Sequence, residues 1–401
     1  MSGWGYQDNL IAKYHVDMGH EVAVIANKYV YDREGNYTDT DMDTETDVNG
    51  VSIYRLKQKG NKKVTGPAAR VHYEGLYEVL KKLSPDVIFL HNPQILDAGE
   101  IAKYMKNALK QNEGNAKKVK LFVDSHSDYS NSGRNFLSKY ILHGIIWRQE
   151  VKKLVPYTSK FYGVLPARVD FLLERYHTPK NKTELLVMGM DDDQAIKASN
   201  PDKIKELRTN FGIKSDDFFI VTGGKIDSSK KQTLLLMDAV HNINNRLKSE
   251  GTAKRVRLLI FGSVTDELKT SFLDKCDYKE SYDIDKDNAE IVYIGWLKAD
   301  ETYPYFAAAD MAIFPGRHSV MWEQVAGQGI PMAVKYWSGT THVDVGGNCR
   351  FIKEDTVNAI MDVIDDLMDK GIEYQKMKAA AQTKASEVFS YRRIAKRCIE
   401  I

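Results

Sequence analysis

The chain has 401 residues, 28% charged and 43% hydrophobic, and a net charge of +2 from 57 basic and 55 acidic side chains. That length predicts two domains of about 200 residues, and the balanced charge argues against a general nucleic-acid binder. Cys276, Cys349 and Cys398 are too few and too widely spaced for a disulfide framework or a cysteine metal site, no apolar run approaches a spanning helix, and no secretory signal precedes the fold, so a cytoplasmic protein is expected.

Ser2 to Tyr6 is a loop carrying Gly3 and Gly5. A helix follows, with Leu10, Ile11, Tyr14 and Met18 at helical spacing, then a buried strand from Glu21 to Ala26. Loop, helix and strand make the second half of a βαβ unit, yet almost no chain precedes the loop. Either the true start lies upstream or the sheet is incomplete. The first is preferred, because losing a central strand leaves two unpaired edges. Residues 27–50 read as a long polar loop, Val51 to Leu56 as a strand, and Ala68 to Leu83 as an amphipathic helix. A buried strand then runs from Asp86 to Leu90 and ends in His91 and Asn92. After the helix Gly99 to Leu109, the strand Val119 to Val123 ends in Asp124-Ser125-His126-Ser127-Asp128. Polar groups at strand carboxyl ends sit where open α/β sheets bind ligands. His91 and Asn92 are therefore placed on the rim where ligands bind, with Asp128 nearby after the next strand.

Phe136 to Val155 is a helix with Ile141, Ile145, Ile146 and Trp147 beside Arg148, Lys152 and Lys153. Such a face can meet an anionic membrane, although a solvated face is the plainer reading. Leu185 to Gly189 is the last strand of the first half. Asp191, Asp192 and Asp193 lack spaced partner ligands and read as a linker.

In the second half, the strand Phe218 to Thr222 runs into Gly223-Gly224-Lys225, then Lys230-Lys231 and a helix from Thr233 to Arg246. Two glycines, a helix start and flanking lysines suit a diphosphate, although P-loop spacing is missing. The strand Arg257 to Phe261 ends in Gly262-Ser263, with room for a base or ribose, and Ile291 to Ile294 ends in Gly295-Trp296. Phe314 to Val334 reads as a strand end, a Pro-Gly turn, a loop with His318 and Ser319, a helix carrying Glu323, and a stop at Gly329-Ile330-Pro331.

This last stretch resembles the donor site of retaining GT-B glycosyltransferases of family 4, whose pattern is an acid, seven residues, a second acid and a small-residue helix ending in Gly-x-Pro. Glu323 matches the second acid; Gly327, Gly329 and Pro331 match the helix end. Pro315 stands eight residues before Glu323, so the first acid is absent, and the chain resembles a branch with His-Ser in that loop. Lys225 stands for the family's arginine and Lys231, or Lys230, for its lysine. His126 matches a histidine near the donor sugar.

The resemblance implies an α/β, GT-B fold of two Rossmann-like domains facing a central cleft. The first spans 1–190, the second, which binds the nucleotide sugar, 191–385, and a last helix, 386–401, crosses back. It implies retaining transfer from a nucleotide diphosphate sugar, UDP ahead of GDP, to a hydroxyl of a glycan or lipid-linked acceptor in surface glycan synthesis. His126, Lys225 and Lys231 would be catalytic. Gly3, Gly5, Gly223, Gly224, Lys230, Gly262, Trp296, His318, Ser319 and Glu323 would bind the donor, and His91, Asn92 and Asp128 would lie on the acceptor side. No metal and no cofactor beyond the donor are expected. A GT-B-like partner subunit without catalysis and a nucleotide-sugar epimerase are the alternatives, and peripheral contact with the inner face of the membrane is open.

Overall fold

The computed structural model describes residues 7–31, 37–59, 72–111, 118–277 and 288–400. The chain divides into two compact units, Met1–Val187 with Ile394–Ile401, and Met188–Arg393.

The first unit opens with α1 (Gln7–Asp17), whose Leu10, Ile11, Ala12 and Tyr14 are buried. β1 (Ala23–Asn27) follows. β2 (Tyr29–Tyr31) pairs antiparallel with β3 (Tyr37–Asp39), and β4 (Thr44–Thr46) pairs antiparallel with β5 (Ser52–Leu56). The expected loop over 27–50 is thus partly strand. Tyr-Val-Tyr and Thr-Glu-Thr are short runs that favour a pleated backbone, and Arg55 of β5 grips Glu45 of β4. α2 (Leu76–Leu83) begins after Gly75, whose φ of 76° halts the helix. The expected earlier start at Ala68 falls partly on 68–71, outside the described residues.

β6 (Val87–His91), α3 (Ala98–Gln111) and β7 (Lys120–Ser125) come next. The helix expected over 136–155 is a π-helix, Leu137–Trp147, running into α4 (Arg148–Leu154). β8 (Thr158–Gly163) and α5 (Pro166–Phe171) lead through a second π segment, Leu172–Tyr176, to β9 (Thr183–Leu185). The last strand therefore starts two residues earlier and ends four residues earlier than Leu185 to Gly189 suggested. β6-β7-β8-β9 form one parallel sheet over a core containing Trp147, Val151, Phe161 and Phe171, while β1-β5-β4 form a mixed sheet, β1-β5 parallel and β5-β4 antiparallel. Among the described residues, β1 and β6 are each paired on one side only.

The second unit starts with α6 (Asp192–Ala198). Asp191 caps it by accepting from the Asp193 amide, and Asp192 accepts from Ser390 Oγ at 2.6 Å and the Arg392 amide at 2.9 Å. The three acids expected to be a linker are instead a helix start, because a short carboxylate there meets free backbone donors. α7 (Pro201–Asn210), β10 (Phe218–Gly223), α8 (Thr233–Ser249), β11 (Val256–Phe261), α9 (Asp266–Leu273), β12 (Ile291–Tyr293), α10 (Tyr303–Ala308), β13 (Met311–Phe314), α11 (Met321–Gly327), β14 (Met332–Lys335) and β15 (Cys349–Ile352) alternate in order. α12 (Val357–Leu367), α13 (Ile372–Ala380), α14 (Ser386–Val388) and α15 (Tyr391–Cys398) end the chain.

The sheet runs β12-β11-β10-β13-β14-β15, every pair parallel. β10, the unit's first strand, lies in the middle, with β11 on one side and β13 on the other. Strand order reverses there, so the carboxyl ends of β10 and β13 open the crevice in which such sheets hold ligands. All three cysteines are buried, and none forms a disulfide among the described residues.

Candidate functional site

Every residue of β10 is buried, and the strand ends at Gly223. A Cβ on Gly223 would lie 2.4 Å from the Phe261 ring; Gly262, at φ 115°, would place one 2.0 Å from the Gly224 carbonyl oxygen. The loops after β10 and β11 therefore touch backbone to backbone, which only glycine allows. Gly262→Ala should lower the urea midpoint by the equivalent of about 3 kcal/mol or more, combining a left-handed backbone with a clash.

Ser228–Lys230 forms a short turn, with Asp227 accepting from the Ser229 amide at 2.9 Å. That turn aims Lys230 inward: its Nζ lies 3.3 Å from the point a Cβ on Gly224 would occupy, and its backbone packs on Gly316 of the loop after β13. Burial lowers the Lys230 pKa, Asp227 opposes that and Arg317 adds to it. Lys225 is exposed, 4.0 Å from Asp227, and Lys231 is exposed beside Asp355. Of the three lysines, Lys230 is the one whose ammonium lies over the glycine loop. Trp296 is exposed at the end of β12, the edge strand, with β11 between it and β10.

Glu323 lies in the first turn of α11 and is 0% exposed, which differs from a helix residue facing solvent. Its Oε1 accepts from His318 Nε2 at 2.8 Å and His342 Nε2 at 2.9 Å. Burial alone would raise its pKa; the two imidazoles reverse this and hold it down to about 2. His342 comes from the 3-10 helix Ser338–Val343 after β14. Glu323 Oε2, Ser319 Oγ and His342 Nδ1 are buried without a hydrogen-bond partner. Unpaired buried polar atoms are costly, and a ligand hydroxyl at Oε2 would remove one such cost. Sequence reasoning missed His342 and Arg317; a histidine in the polar loop after β14 was the available signal for the first.

In the first unit the carboxyl ends of β6 and β7 carry a second cluster. Asp124 is fully buried and accepts from His91 Nδ1 at 2.9 Å, His126 Nε2 at 3.3 Å and the Asn92 amide at 2.9 Å. Asn92, at φ 67°, in turn accepts from the His126 amide at 2.9 Å. Burial would raise the Asp124 carboxyl, but the two imidazoles drive it well below the usual range. Burial lowers the His91 imidazole pKa, and the Asp124 charge and hydrogen bond more than offset it, leaving it raised. His91, Asn92 and His126 line a cavity of about 1000 Å³.

Asp128 does not join them as an acceptor-side group. It is buried and committed to its own turn, accepting from the Ser130 and Asn131 amides and facing Arg168 Nε at 3.3 Å. Donor atoms of His91, Asp124 and His126 lie within 4.8 Å of one another, a spacing that could hold a metal ion and that spacing along the chain had not revealed. Gly3 and Gly5 lie outside the described residues.

No family model matches the chain, and no curated protein matches it in sequence. Solved structures do match in shape. A glycosyltransferase from Rickettsia africae is 15% identical with a TM-score of 0.64, covering 98% of this chain and 92% of its own. Anabaena HepE in complex with UDP-glucose is 13% identical, TM-score 0.59, covering 99% and 96%. A sucrose-phosphate synthase from Thermosynechococcus elongatus is 14% identical, TM-score 0.58, covering 96% and 89%. The fold is GT-B. It supplies a parallel sheet in each unit with polar groups at the strand carboxyl ends, and the two clusters described above occupy those positions in this chain.

Proposed function

We propose that the protein is a retaining glycosyltransferase that moves a sugar from a UDP-sugar, ahead of a GDP-sugar, to an acceptor hydroxyl in surface glycan synthesis, without a metal. The observation that carries this reading is the crevice at β10 and β13, where Lys230 covers the Gly223-Gly224 loop and Glu323 keeps one carboxylate oxygen unpaired. A departing diphosphate needs positive charge fixed in place before the reaction. Lys230, Arg317 and the loop amides supply it, with the exposed Lys225 and Lys231 adding to the local field. Glu323 Oε2 would accept from a ribose hydroxyl. His126, oriented by Asp124, would face the donor sugar and His91 the acceptor.

The test is a thermal-shift panel with UDP, GDP, ADP and CMP, with and without EDTA. At 100 times its dissociation constant a ligand stabilises by about 2.7 kcal/mol, a shift of a few degrees. UDP is expected to shift the protein selectively and independently of chelator, and Lys230→Ala to remove most of that shift while Lys231→Ala keeps it. No shift with any nucleotide overturns the donor site.

An acceptor on a lipid carrier would place the enzyme at a membrane, and the π-helix offers a surface for it. Phe136, Leu137, Tyr140, Ile141 and Ile145 are all exposed. Their spacing suits a helix with i→i+5 hydrogen bonds, and Arg134, Arg148, Lys152 and Lys153 are exposed around them. Co-sedimentation with vesicles of phosphatidylcholine containing one third phosphatidylglycerol should fall at least about fivefold in Ile141→Glu/Ile145→Glu, and fall with salt.

A further inference from the structure

The two oxygens of Glu323 are not equivalent. Oε1 accepts from both His318 and His342, whereas Oε2 is buried and accepts from nothing. The last torsion of a glutamate is broad and two-fold, so an unheld carboxylate exchanges its oxygens by turning. Two donors on Oε1 prevent that exchange. Oε2 is then the oxygen of this carboxylate left for an incoming hydroxyl. Ser319 Oγ and His342 Nδ1 are likewise buried without a partner. Three such atoms, from the loop after β13, from α11 and from the segment after β14, lower stability, and functional sites are where such costs are tolerated.

The two donors are held by different means. His318 lies in the loop 315–320 next to the exposed Arg317, its ring meeting Trp322 edge-on at 4.9 Å. His342 lies in a stapled segment. Asn348, 0% exposed, donates from Nδ2 to the Val343 carbonyl at 2.9 Å and accepts from the Val345 amide at 2.8 Å. The Asn348 carbonyl accepts from the Met332 amide at 3.2 Å, which ties the end of the segment to the start of β14. Asp344 accepts from the amide of Gly347, whose φ is 94°. Thr340 and Val343, on either side of His342, are fully buried, and its ring lies 6.3 Å from that of Phe389. A side chain fixed this way loses little further freedom when it donates to Glu323.

We propose that His342 is a positioning residue for nucleotide recognition: it pins Glu323 Oε1 so that Oε2 alone meets a ribose hydroxyl, and it thereby sets the preference for a ribonucleotide over its deoxy counterpart. The inference rests on the donor-site reading above. Glu323 is wholly enclosed, so the hydroxyl enters as the 315–320 loop gives way, while the stapled segment keeps His342 on the carboxylate. A deoxy ligand fills the same space and leaves Oε2 unpaired, which weakens its binding. Without His342 the carboxylate turns, and the ribonucleotide loses its advantage.

Calorimetric binding of UDP, 2′-deoxy-UDP and 3′-deoxy-UDP to the full chain tests this, in the parent, His342→Phe and His342→Gln. The parent should bind UDP at least about tenfold more tightly than one of the two deoxy ligands. His342→Phe keeps a ring beside Phe389 and loses the donor; it should lose at least about tenfold in UDP affinity and bind that deoxy ligand as the parent does. His342→Gln, whose amide can donate to Oε1, should recover most of the UDP affinity. An equal loss for all three ligands in His342→Phe marks a structural role and overturns the assignment, as does an unchanged UDP affinity. A parent that binds the three ligands alike overturns the hydroxyl contact and the positioning role while the donor site stands; a parent that does not bind UDP overturns the donor site as well. If His342→Phe does not fold, His342→Asn takes its place: its amide is too short to reach Oε1, so it should lose the discrimination that His342→Gln retains, and equal discrimination in the two overturns the proposal.

Discussion

Glu323→Ala is expected to abolish the UDP-induced thermal shift and to destabilise the second unit by about 3 kcal/mol or more, because breaking a buried charge pair strands its partners. Glu323 is wholly enclosed, and both His318 Nε2 and His342 Nε2 donate to one of its oxygens. Without the carboxylate the two imidazoles have no acceptor, and the proposed ribose contact is gone. The isosteric Glu323→Gln separates these losses. It should fold with a smaller deficit, of about 1–3 kcal/mol, and still lose most of the nucleotide shift, since a carboxamide is a weaker partner for a hydroxyl donor. The pH dependence follows from the direction of the shift. A folded pKa of about 2, against 4.5 for the free group, gives stability that is present above about pH 4.5 and lost as pH falls towards 2. Urea midpoints between pH 6 and pH 3 should drop less in Glu323→Gln than in the parent. A parallel drop, or a retained UDP shift in Glu323→Ala, rules out this role.

The legible parts of this chain were those that local patterning determines. The run Phe218 to Thr222 with the glycines after it announced a central parallel strand ending in a close backbone approach, and that is β10 with its backbone contact to Gly262. Apolar content around Asp86 to Leu90 and Val119 to Val123 likewise announced β6 and β7, with His91 and His126 at their ends. What sequence could not show is where side chains turn after leaving the backbone. Lys230 and Lys231 are neighbours, and only the turn capped by Asp227 decides that the first faces Gly224 while the second faces solvent. Glu323 was legible as a helix residue near a loop, but its enclosure depends on His342, nineteen residues later. Asp128 misled for the opposite reason. Its position after a strand suggested a ligand, whereas an Asp three residues ahead of Asn131 satisfies its own turn first.

Asp124→Asn is expected to have the larger effect on turnover, lowering kcat at least about 10²-fold while leaving the UDP shift of the second unit in place. The side chain has no exposed surface and accepts from His91, His126 and the Asn92 amide. An amide of the same shape can orient one imidazole at most, and it removes the charge that favours a protonated His91. Stability against pH checks the same arrangement from both sides. The Asp124 contribution is present above its free pKa near 3.8 and fades as pH falls below it. The His91 contribution has the opposite sign, since its pKa is raised: it is complete below about 6.5 and lost as pH climbs through the folded value. His15, whose pKa is lowered by burial and by the charges of His20 and His91, works against it on the same face of α1. The parent should therefore lose stability on the alkaline side of 6.5, and Asp124→Asn should flatten that slope. The reading of the cluster as hydrogen-bonded rather than metal-bound meets its test here too. Turnover should be unchanged after dialysis against EDTA and after added zinc; loss with chelator, restored by zinc, would make His91, Asp124 and His126 ligands, and Asp124→Asn would then abolish zinc binding along with the reaction.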